Sequence, residues 1–598
     1  VTSRSGMRLQ HALEKLDAAA ALQPDDLAIR LARGLVQVRG TRPDKARSDL
    51  EAALAKKELV YAASVGLGRL ALAEGKDDDA LSFASKACDL DPLRPAAHEL
   101  KARVLALHRD FARARDERAL AARPLPEALV APLHDVVDPL EASERAAARG
   151  LEAFEIALHD QNRPFNVQLA REVAWLRRAL ALDPERPALT NQLGFALYLL
   201  AKPPDAYAAF GQARALDPTL LEAELGRGLI ERDFATGSGG GPRAAAQTIA
   251  RAIELAAPAP PEGDPAFAAN ARYELARALD ESGDPERALE QAEICCRENP
   301  KRHAAHALRA RLLARLKRPG AHEACRAAAK LLHEAVDAAT QARAQLFLRA
   351  GEQREREKDA RSAILFYTRA IELDPANGEG WRKRGMRSFA ASPFDDFARA
   401  FVDMATAIEL DPRASNSFHT EIENNYYKYR RLADTFGEFG DKVTEVVESQ
   451  PDLAPAQFLG GFWALVHDDQ KTALARLDTA VELAPTWYLP LAYRAQARLR
   501  TGDGDGAALD LAQARKLWAE DAIVPFVEAG LALSRADRDG CFAKLDEAVK
   551  LGFHWPDTLK NVPELAPLHG NDRFERLLEG MGGQDDPFFE GLKRRKRR

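Results

Sequence analysis

The sequence predicts an all-α protein, a solenoid of antiparallel helix pairs, and three observations lead to this fold class. Short motifs that end in proline, such as Leu-Asp-Pro at Pro184 and Pro218, close one predicted helix after another. Pro184 and Pro218 are 34 residues apart, as are Pro451 and Pro485, and a fixed period of this size is typical of a repeat array. Residues with strong helix propensity, above all Ala, Leu, Arg and Glu, dominate the composition.

One stretch, residues 187–220, contains the full pattern of a helix pair. Small or apolar residues lie on one face of each predicted helix, at Leu193, Gly194, Leu197, Ala206, Phe210 and Ala213. Because Gly194 has no side chain, we expect a neighbouring helix to approach its backbone closely. Pro203 and Pro204 end the first helix, and Pro218 ends the second.

These residues resemble the pattern of the tetratricopeptide repeat (TPR), a helix–turn–helix of about 34 residues. The resemblance covers most of the chain and implies a right-handed superhelical solenoid of such pairs, a TPR array. The stretch 542–581, with Gly552, Leu565, Leu568 and Phe574, resembles the end-of-group module that follows these arrays in some bacterial proteins. A bacterial type of TPR protein is therefore implied, with the module acting as a terminal cap.

The repeat pattern also predicts how the chain is divided. We expect N-terminal repeats at 1–126, an irregular connector and helix pair at 127–186, further repeats at 187–552, a capping module at 553–581 and a disordered basic tail at 582–598. The first repeat is truncated, which favours missing sequence before Val1 over the alternative that Val1 corresponds to an alternative start codon of a bacterial gene. The glycine-rich stretch 236–242 is predicted to be a flexible loop, because a phosphate-binding loop needs a preceding strand and a Gly-Lys-Ser/Thr ending.

Composition and charge argue against several classes of protein. The formal net charge is −6 over 598 residues, which gives no global field for nucleic acid. No apolar run reaches the roughly 18 residues that a membrane span needs. Five scattered cysteines do not form a disulfide framework. They favour a reducing compartment, so a cytoplasmic location is predicted.

No motif of a catalytic nucleophile, zinc protease or kinase loop is present in the sequence. Cys295, Cys296, His303 and His306 have zinc-binding side chains, but adjacent cysteines on a helix point about 100° apart. A buried cysteine that acts as a small apolar residue is the favoured interpretation for Cys295. We therefore predict a protein that is not an enzyme and binds neither a cofactor nor a metal.

The family resemblance implies that the first helix of each pair lines a concave face. Carried onto this sequence, the inward positions place Tyr273, Arg277, Arg311, Arg315, Arg382, Phe458 and Phe462 on that face. The favoured alternative is that these arginines are ordinary solvated residues, since arginine is common throughout the chain.

The predicted function is a non-catalytic protein–protein interaction scaffold that binds a peptide or protein partner on its concave face. An alternative is the regulatory or recruiting region of a larger bacterial multidomain enzyme, such as a serine/threonine kinase whose catalytic domain lies outside this sequence. The six consecutive basic residues at 593–598 predict a weak, salt-sensitive contact with polyanions.

Overall fold

The structure is a computed structural model that describes residues 2–38, 43–121, 139–159, 163–234, 240–256, 265–391, 396–419 and 438–581. Every regular element in these ranges is a helix, and consecutive helices pack as antiparallel pairs. The predicted all-α class of paired helices is therefore confirmed. The chain divides into two compact units, residues 1–300 and residues 301–598.

Unit 1 consists of fifteen helices among its described residues. They are α1 (Thr2–Leu22), α2 (Leu27–Gln37), α3 (Pro43–Ala53), α4 (Val60–Ala73), α5 (Asp77–Leu90), α6 (Pro95–Leu107), α7 (Phe111–Ala121), α8 (Pro139–His159), α9 (Phe165–Leu182), α10 (Pro187–Leu199), α11 (Pro203–Leu216), α12 (Leu221–Asp233), α13 (Pro242–Ala256), α14 (Pro265–Glu281) and α15 (Pro285–Glu298). A short 3-10 turn, Lys57–Leu59, precedes α4.

Unit 2 continues with sixteen α-helices among its described residues. They are α16 (His303–Arg315), α17 (Ala321–Leu332), α18 (Ala338–Arg356), α19 (Ala360–Leu373), α20 (Gly378–Ala391), α21 (Phe397–Leu410), α22 (Ser415–Phe418), α23 (Glu438–Ser449), α24 (Ala454–Val466), α25 (Gln470–Leu483), α26 (Tyr488–Arg500), α27 (Gly504–Leu517), α28 (Ile523–Ser534), α29 (Arg538–Lys550), α30 (Pro556–Asn561) and α31 (Asp572–Gly580). Two 3-10 segments, Pro412–Ala414 and Pro563–Leu568, lie between them.

The turn within a helix pair has a recurring chemical pattern. Gly283 has a left-handed backbone with φ of 87°, and the side chain of the next residue, Asp284, caps α15 by accepting a hydrogen bond from a backbone N–H. Lys358, with φ of 62°, precedes Asp359 in the same way, and the Asp359 carboxylate caps α19. Such a cap satisfies an N–H group that has no partner within the helix. The pattern recurs at Asp469, Asp503 and Asp537.

The pair α10–α11 contains the close approach that the sequence predicted. A Cβ atom added to Gly194 would lie 2.7 Å from the ring of Phe210, so only glycine leaves room for that ring. Pro203 has a second role beyond ending α10, because it is the first residue of α11. Proline is favoured there, since its missing N–H would have had no partner in the helix.

Three buried ion pairs join α4 and α6 to the later part of unit 1. The pairs are Arg69–Asp183 at 2.9 Å, Arg94–Glu144 at 2.6 Å and Arg186–Glu99 at 2.7 Å. Glu144 lies on α8, whereas Asp183 and Arg186 lie in the turn between α9 and α10. Contacts over this sequence distance go beyond the nearest-neighbour packing that a simple repeat array requires.

The described chain ends in a segment that covers the last helix pair. Leu565, Leu568 and Phe574 are at most 1% exposed and belong to the same apolar core as α28 and α29. Residues of a terminal cap have this placement, since they shield an apolar face from water. The predicted basic tail at 582–598 lies outside the described residues, as do 127–138 and 160–162 of the connector and 236–239 of the glycine-rich stretch.

Candidate functional site

The first helices of the last three pairs of unit 2 are covered on nearly all sides. Every residue of 454–462 in α24 is buried, as is every residue of 488–493 in α26 and of 523–527 in α28. A helix at the surface of a repeat array normally leaves one face exposed to solvent. Another part of unit 2 therefore occupies the second face of these helices.

Part of that cover is the segment 415–419, which follows the Pro412–Ala414 turn. The Phe418 ring packs edge-on against Phe401 at 5.0 Å and lies 6.1 Å from the Phe458 ring of α24. The next residue, His419, stacks on Trp555 with ring centroids 4.3 Å apart. The segment thus extends from α24 to the residues that precede α30.

A buried polar cluster anchors this segment. His419 Nε2 lies 3.4 Å from Asp521 Oδ1, and the Tyr488 hydroxyl donates a hydrogen bond to Asp521 Oδ2. Burial acts to raise the pKa of Asp521, but the charge and hydrogen bond of His419, with the Tyr488 bond, outweigh it and hold the pKa at about 2. The carboxylate is therefore charged in the folded protein, and it ties the segment to α26 and α28.

The prediction that two aromatic residues lie on an open concave face is wrong. Phe458 and Phe462 are 0% exposed, and both pack against Phe401 and Tyr493. They belong to the core and offer no open apolar patch, because other parts of unit 2 fill the space in front of them.

The predicted residues of unit 1 are also largely enclosed. Tyr273 on α14 is 4% exposed, so its ring contributes no open surface. Arg277, on the same helix, lies 3.4 Å from Glu281 one turn later. Its side chain is 17% exposed.

The predicted arginines of unit 2 are more accessible. Arg311 and Arg315 lie exposed on α16. Arg382 on α20 is half-buried and donates two hydrogen bonds to Glu379, at 2.7 Å and 2.6 Å. Helices α16 and α20 lie side by side at one point, where the His303 ring packs edge-on against Trp381 with centroids 6.3 Å apart.

Helix α20 differs from the covered helices in its exposure. Its buried residues are Gly380, Gly385 and Ser388, and most of the others are partly exposed. An ion-pair ladder crosses from α18 to α20, in which Lys383 lies 3.3 Å from Glu352 and 3.8 Å from Glu379. Helix α20 is therefore the open counterpart of the covered α24, α26 and α28.

Positive charge predominates on these open helices. Helix α16 has the sequence HAAHALRARLLAR, with three arginines and no acidic residue. Helix α20 has four basic residues, including Arg384 and Arg387, and one acidic residue, Glu379. Burial, together with the charges of His306 and Arg384, lowers the pKa of His303 to about 4, so this histidine is neutral at pH 7.

The structure places Cys295 as the small buried residue that the sequence analysis favoured. Cys295 is buried, and its thiol donates to the Ala269 carbonyl at 3.2 Å. Within the described ranges, the group that has metal-binding side chains close together is Cys88, His98 and Glu117. Sequence reasoning missed this group because its members come from three different helices.

Two segments of the chain, residues 31–95 and 273–322, match the family model of the tetratricopeptide repeat. These two segments are similar to tetratricopeptide repeats. The first match runs from α2 to the start of α6, and the second runs from α14 to the start of α17. The resemblance in the sequence is confirmed for these TPR segments. No curated protein matches the sequence.

Several solved TPR and other helical structures resemble the chain. YrrB, described as a TPR protein with an unusual peptide-binding site, is 16% identical over 34% of this chain and 95% of its own, with a TM-score of 0.22. The APC/C hetero-tetramer Cut9–Hcn1 is 14% identical over 95% of this chain and 98% of its own, with a TM-score of 0.27. Yeast Tom70 is 16% identical over 90% of this chain and 100% of its own, with a TM-score of 0.25. At these values the similarities carry no argument about what the present repeats bind.

Among the residues that the structure describes, none of the helices combines the length and the apolar composition that crossing a bilayer requires.

Proposed function

We propose that the chain is a non-catalytic scaffold that binds an acidic peptide or protein segment on the open helices of unit 2. Arg311 and Arg315 of α16 and Arg382 of α20 are the proposed contact residues. Helices α16 and α20 together form the proposed binding face.

The observation that carries the proposal is the contrast between covered and open first helices. The chain's own segment 415–419 lies against three successive pairs, through Phe418 on α24, and through His419 near Asp521 and Trp555. Ser415–Phe418 of this segment form the short helix α22, so repeats of this kind accommodate a short helical segment against several units. Helix α20 leaves most of its residues partly exposed, so a segment from another protein can contact it.

The charge of the open helices supports an acidic partner. The exposed Arg311 and Arg315 lie on a helix whose own sequence contains no acidic residue, so this helix has a net positive charge. Complementary charge raises the association rate and selects the partner more than it raises affinity. The binding should therefore weaken as salt is added.

Burial supports the absence of catalysis. His419, Asp521 and Tyr488 combine side chains that many active sites use, but each is at most 3% exposed. A substrate cannot reach the imidazole or the carboxylate without unfolding the last repeats. The cluster therefore has a structural role in this proposal.

An experiment with defined peptides tests the proposed surface. The purified chain is titrated with fluorescent acidic and basic peptides of equal length, at low and at high salt. We expect the acidic peptides to bind at low salt and the double variant Arg311→Glu, Arg315→Glu to lose at least tenfold in affinity.

A matched control distinguishes the effect of charge on the proposed face from the effect of the protein's net charge. Lys471 is exposed on α25, a second helix of the same unit, and Lys471→Glu reverses a charge away from the proposed face. This variant should bind as the unchanged protein does. Equal binding of acidic and basic peptides, or equal losses in both variants, would reject the proposal.

A further inference from the structure

We propose that Cys88, His98 and Glu117 form a binding site for a transition-metal ion of the Zn²⁺ type. Cys88 lies near the end of α5, His98 is in the first turns of α6, and Glu117 is on α7. All three are buried, at 6%, 5% and 9% exposure. One potential ligand atom from each residue lies within 4.8 Å of the others.

The distances between the potential ligand atoms fit a tetrahedral ion after a small movement of one side chain. Cys88 Sγ lies 3.6 Å from His98 Nδ1, and His98 Nδ1 lies 2.5 Å from Glu117 Oε2. Ligands about 2.0–2.3 Å from a tetrahedral Zn²⁺ are separated from one another by about 3.3–3.7 Å. The sulfur–nitrogen distance already has this value, whereas the Glu117 carboxylate has to move back by about 1 Å.

The groups around the three ligands orient them as an outer coordination shell does. His98 Nε2 lies 3.1 Å from the Pro92 carbonyl and can donate to it, which directs Nδ1 at Cys88 and Glu117. Nδ1 and Glu117 Oε2, 2.5 Å apart, share a proton, and an incoming ion has to displace it. Lys101 Nζ lies 2.6 Å from Glu117 Oε1, so the other oxygen, Oε2, faces the site. Metal-binding histidines and carboxylates are commonly held by such partners.

Thiolate, imidazole and carboxylate together select a borderline-soft ion. Zn²⁺ accepts all three ligand types, and sites with three protein ligands leave a fourth position for water. Mg²⁺ and Ca²⁺ prefer oxygen ligands alone. Burial raises the pKa of the Cys88 thiol to about 11, so the ion has to displace the thiol proton when it binds.

A cobalt titration of the intact chain tests the site, because Co²⁺ bound to a thiolate gives an intense sulfur-to-metal charge-transfer band. We expect a single Co²⁺ per chain to produce this band and added Zn²⁺ to abolish it. Cys88→Ser should remove the band entirely, and Glu117→Gln should weaken Zn²⁺ binding at least tenfold.

Cys325→Ser is the matched control. Cys325 is 5% exposed, and burial raises its pKa to about 11 as well, but it has no neighbouring histidine and glutamate of this kind among the described residues. This variant should retain the band. A wild-type chain without the band, a band that persists in Cys88→Ser, or a loss common to both variants would overturn the proposal.

Discussion

The guanidinium of Arg186 and the carboxylate of Glu99 form a two-point ion pair, with N···O distances of 2.8 Å and 2.7 Å. The two residues are 1% and 6% exposed. Burial acts to lower the pKa of Arg186, but the charge and hydrogen bonds of Glu99 outweigh it and raise the pKa. The guanidinium therefore remains charged inside unit 1, and its attraction to Glu99 offsets the hydration that it loses on burial.

Removing one member of this pair should destabilise the fold strongly. Glu99→Leu leaves a buried guanidinium without its main counter-charge, and we expect a loss of about 3–5 kcal/mol in the free energy of unfolding. The double variant Glu99→Leu, Arg186→Met should recover most of this loss. Urea denaturation of unit 1 measures both values.

The control for this prediction is an exposed pair. Arg573 and Asp546 are 2.7 Å apart with side chains 48% exposed, so Asp546→Ala should cost less than about 1 kcal/mol. If Glu99→Leu were as mild as Asp546→Ala, the buried pair would contribute no more than a surface contact.

Acid should weaken the cluster around Asp521. The folded pKa of about 2 lies below the ordinary value of 3.8, so the ionised carboxylate stabilises the fold above about pH 4 and this contribution is lost as the pH falls towards 2. Asp521→Asn should therefore cost about 2 kcal/mol at pH 7 and progressively less below pH 4. Thermal denaturation of both proteins across pH 2–7 measures the difference, and a cost that is constant with pH would contradict it.

Glu172 should have the opposite pH dependence. It is 1% exposed, one of its oxygens accepts from Gln192 at 2.9 Å, and the other has no hydrogen-bond partner among the residues that the structure describes. Burial raises its pKa to about 8, above the ordinary 4.5, so the folded state loses stability as the pH rises from about 4.5 to 8. Glu172→Gln should add about 3 kcal/mol at pH 7 and nothing at pH 4. No gain at pH 7 in urea denaturation would refute the assignment of a neutral carboxyl.

The turn before α19 offers a stabilising substitution. Lys358 is exposed and has φ of 62°, a conformation that costs a residue with a Cβ about 1 kcal/mol or more. Lys358→Gly should therefore raise the free energy of unfolding by about 1 kcal/mol. Gly502, with φ of 81° in the equivalent turn, provides the reverse test, because Gly502→Ala should destabilise by a similar amount. A loss of stability in Lys358→Gly, measured by thermal denaturation, would contradict this explanation of the turn.

The fold was predictable because its repeat pattern is local. Gly194 and Phe210 meet within one helix pair, and the prolines that open or close helices act on their immediate neighbours. Each pair thus has its own signal in about 34 consecutive residues. The family pattern alone is sufficient to place most of the helices.

The candidate sites were less predictable because they depend on contacts between distant segments. Phe458 was expected on an open face, but Phe418 and Phe401 cover it. Cys88, His98 and Glu117 come together only when α5, α6 and α7 pack. The repeat pattern specifies which side of a helix meets its neighbours, and it contains no information about a segment that returns to cover the other side.

The ion pairs of unit 1 have a mechanical consequence. An array held only by contacts between adjacent repeats lengthens under tension like a spring, because each pair can tilt on the next. Arg69 and Asp183 are 114 residues apart, and Arg186 and Glu99 are 87 residues apart. A pulling force applied along this part of the chain would have to break these links before the helices between them could separate, so unit 1 should yield in one abrupt step at high force.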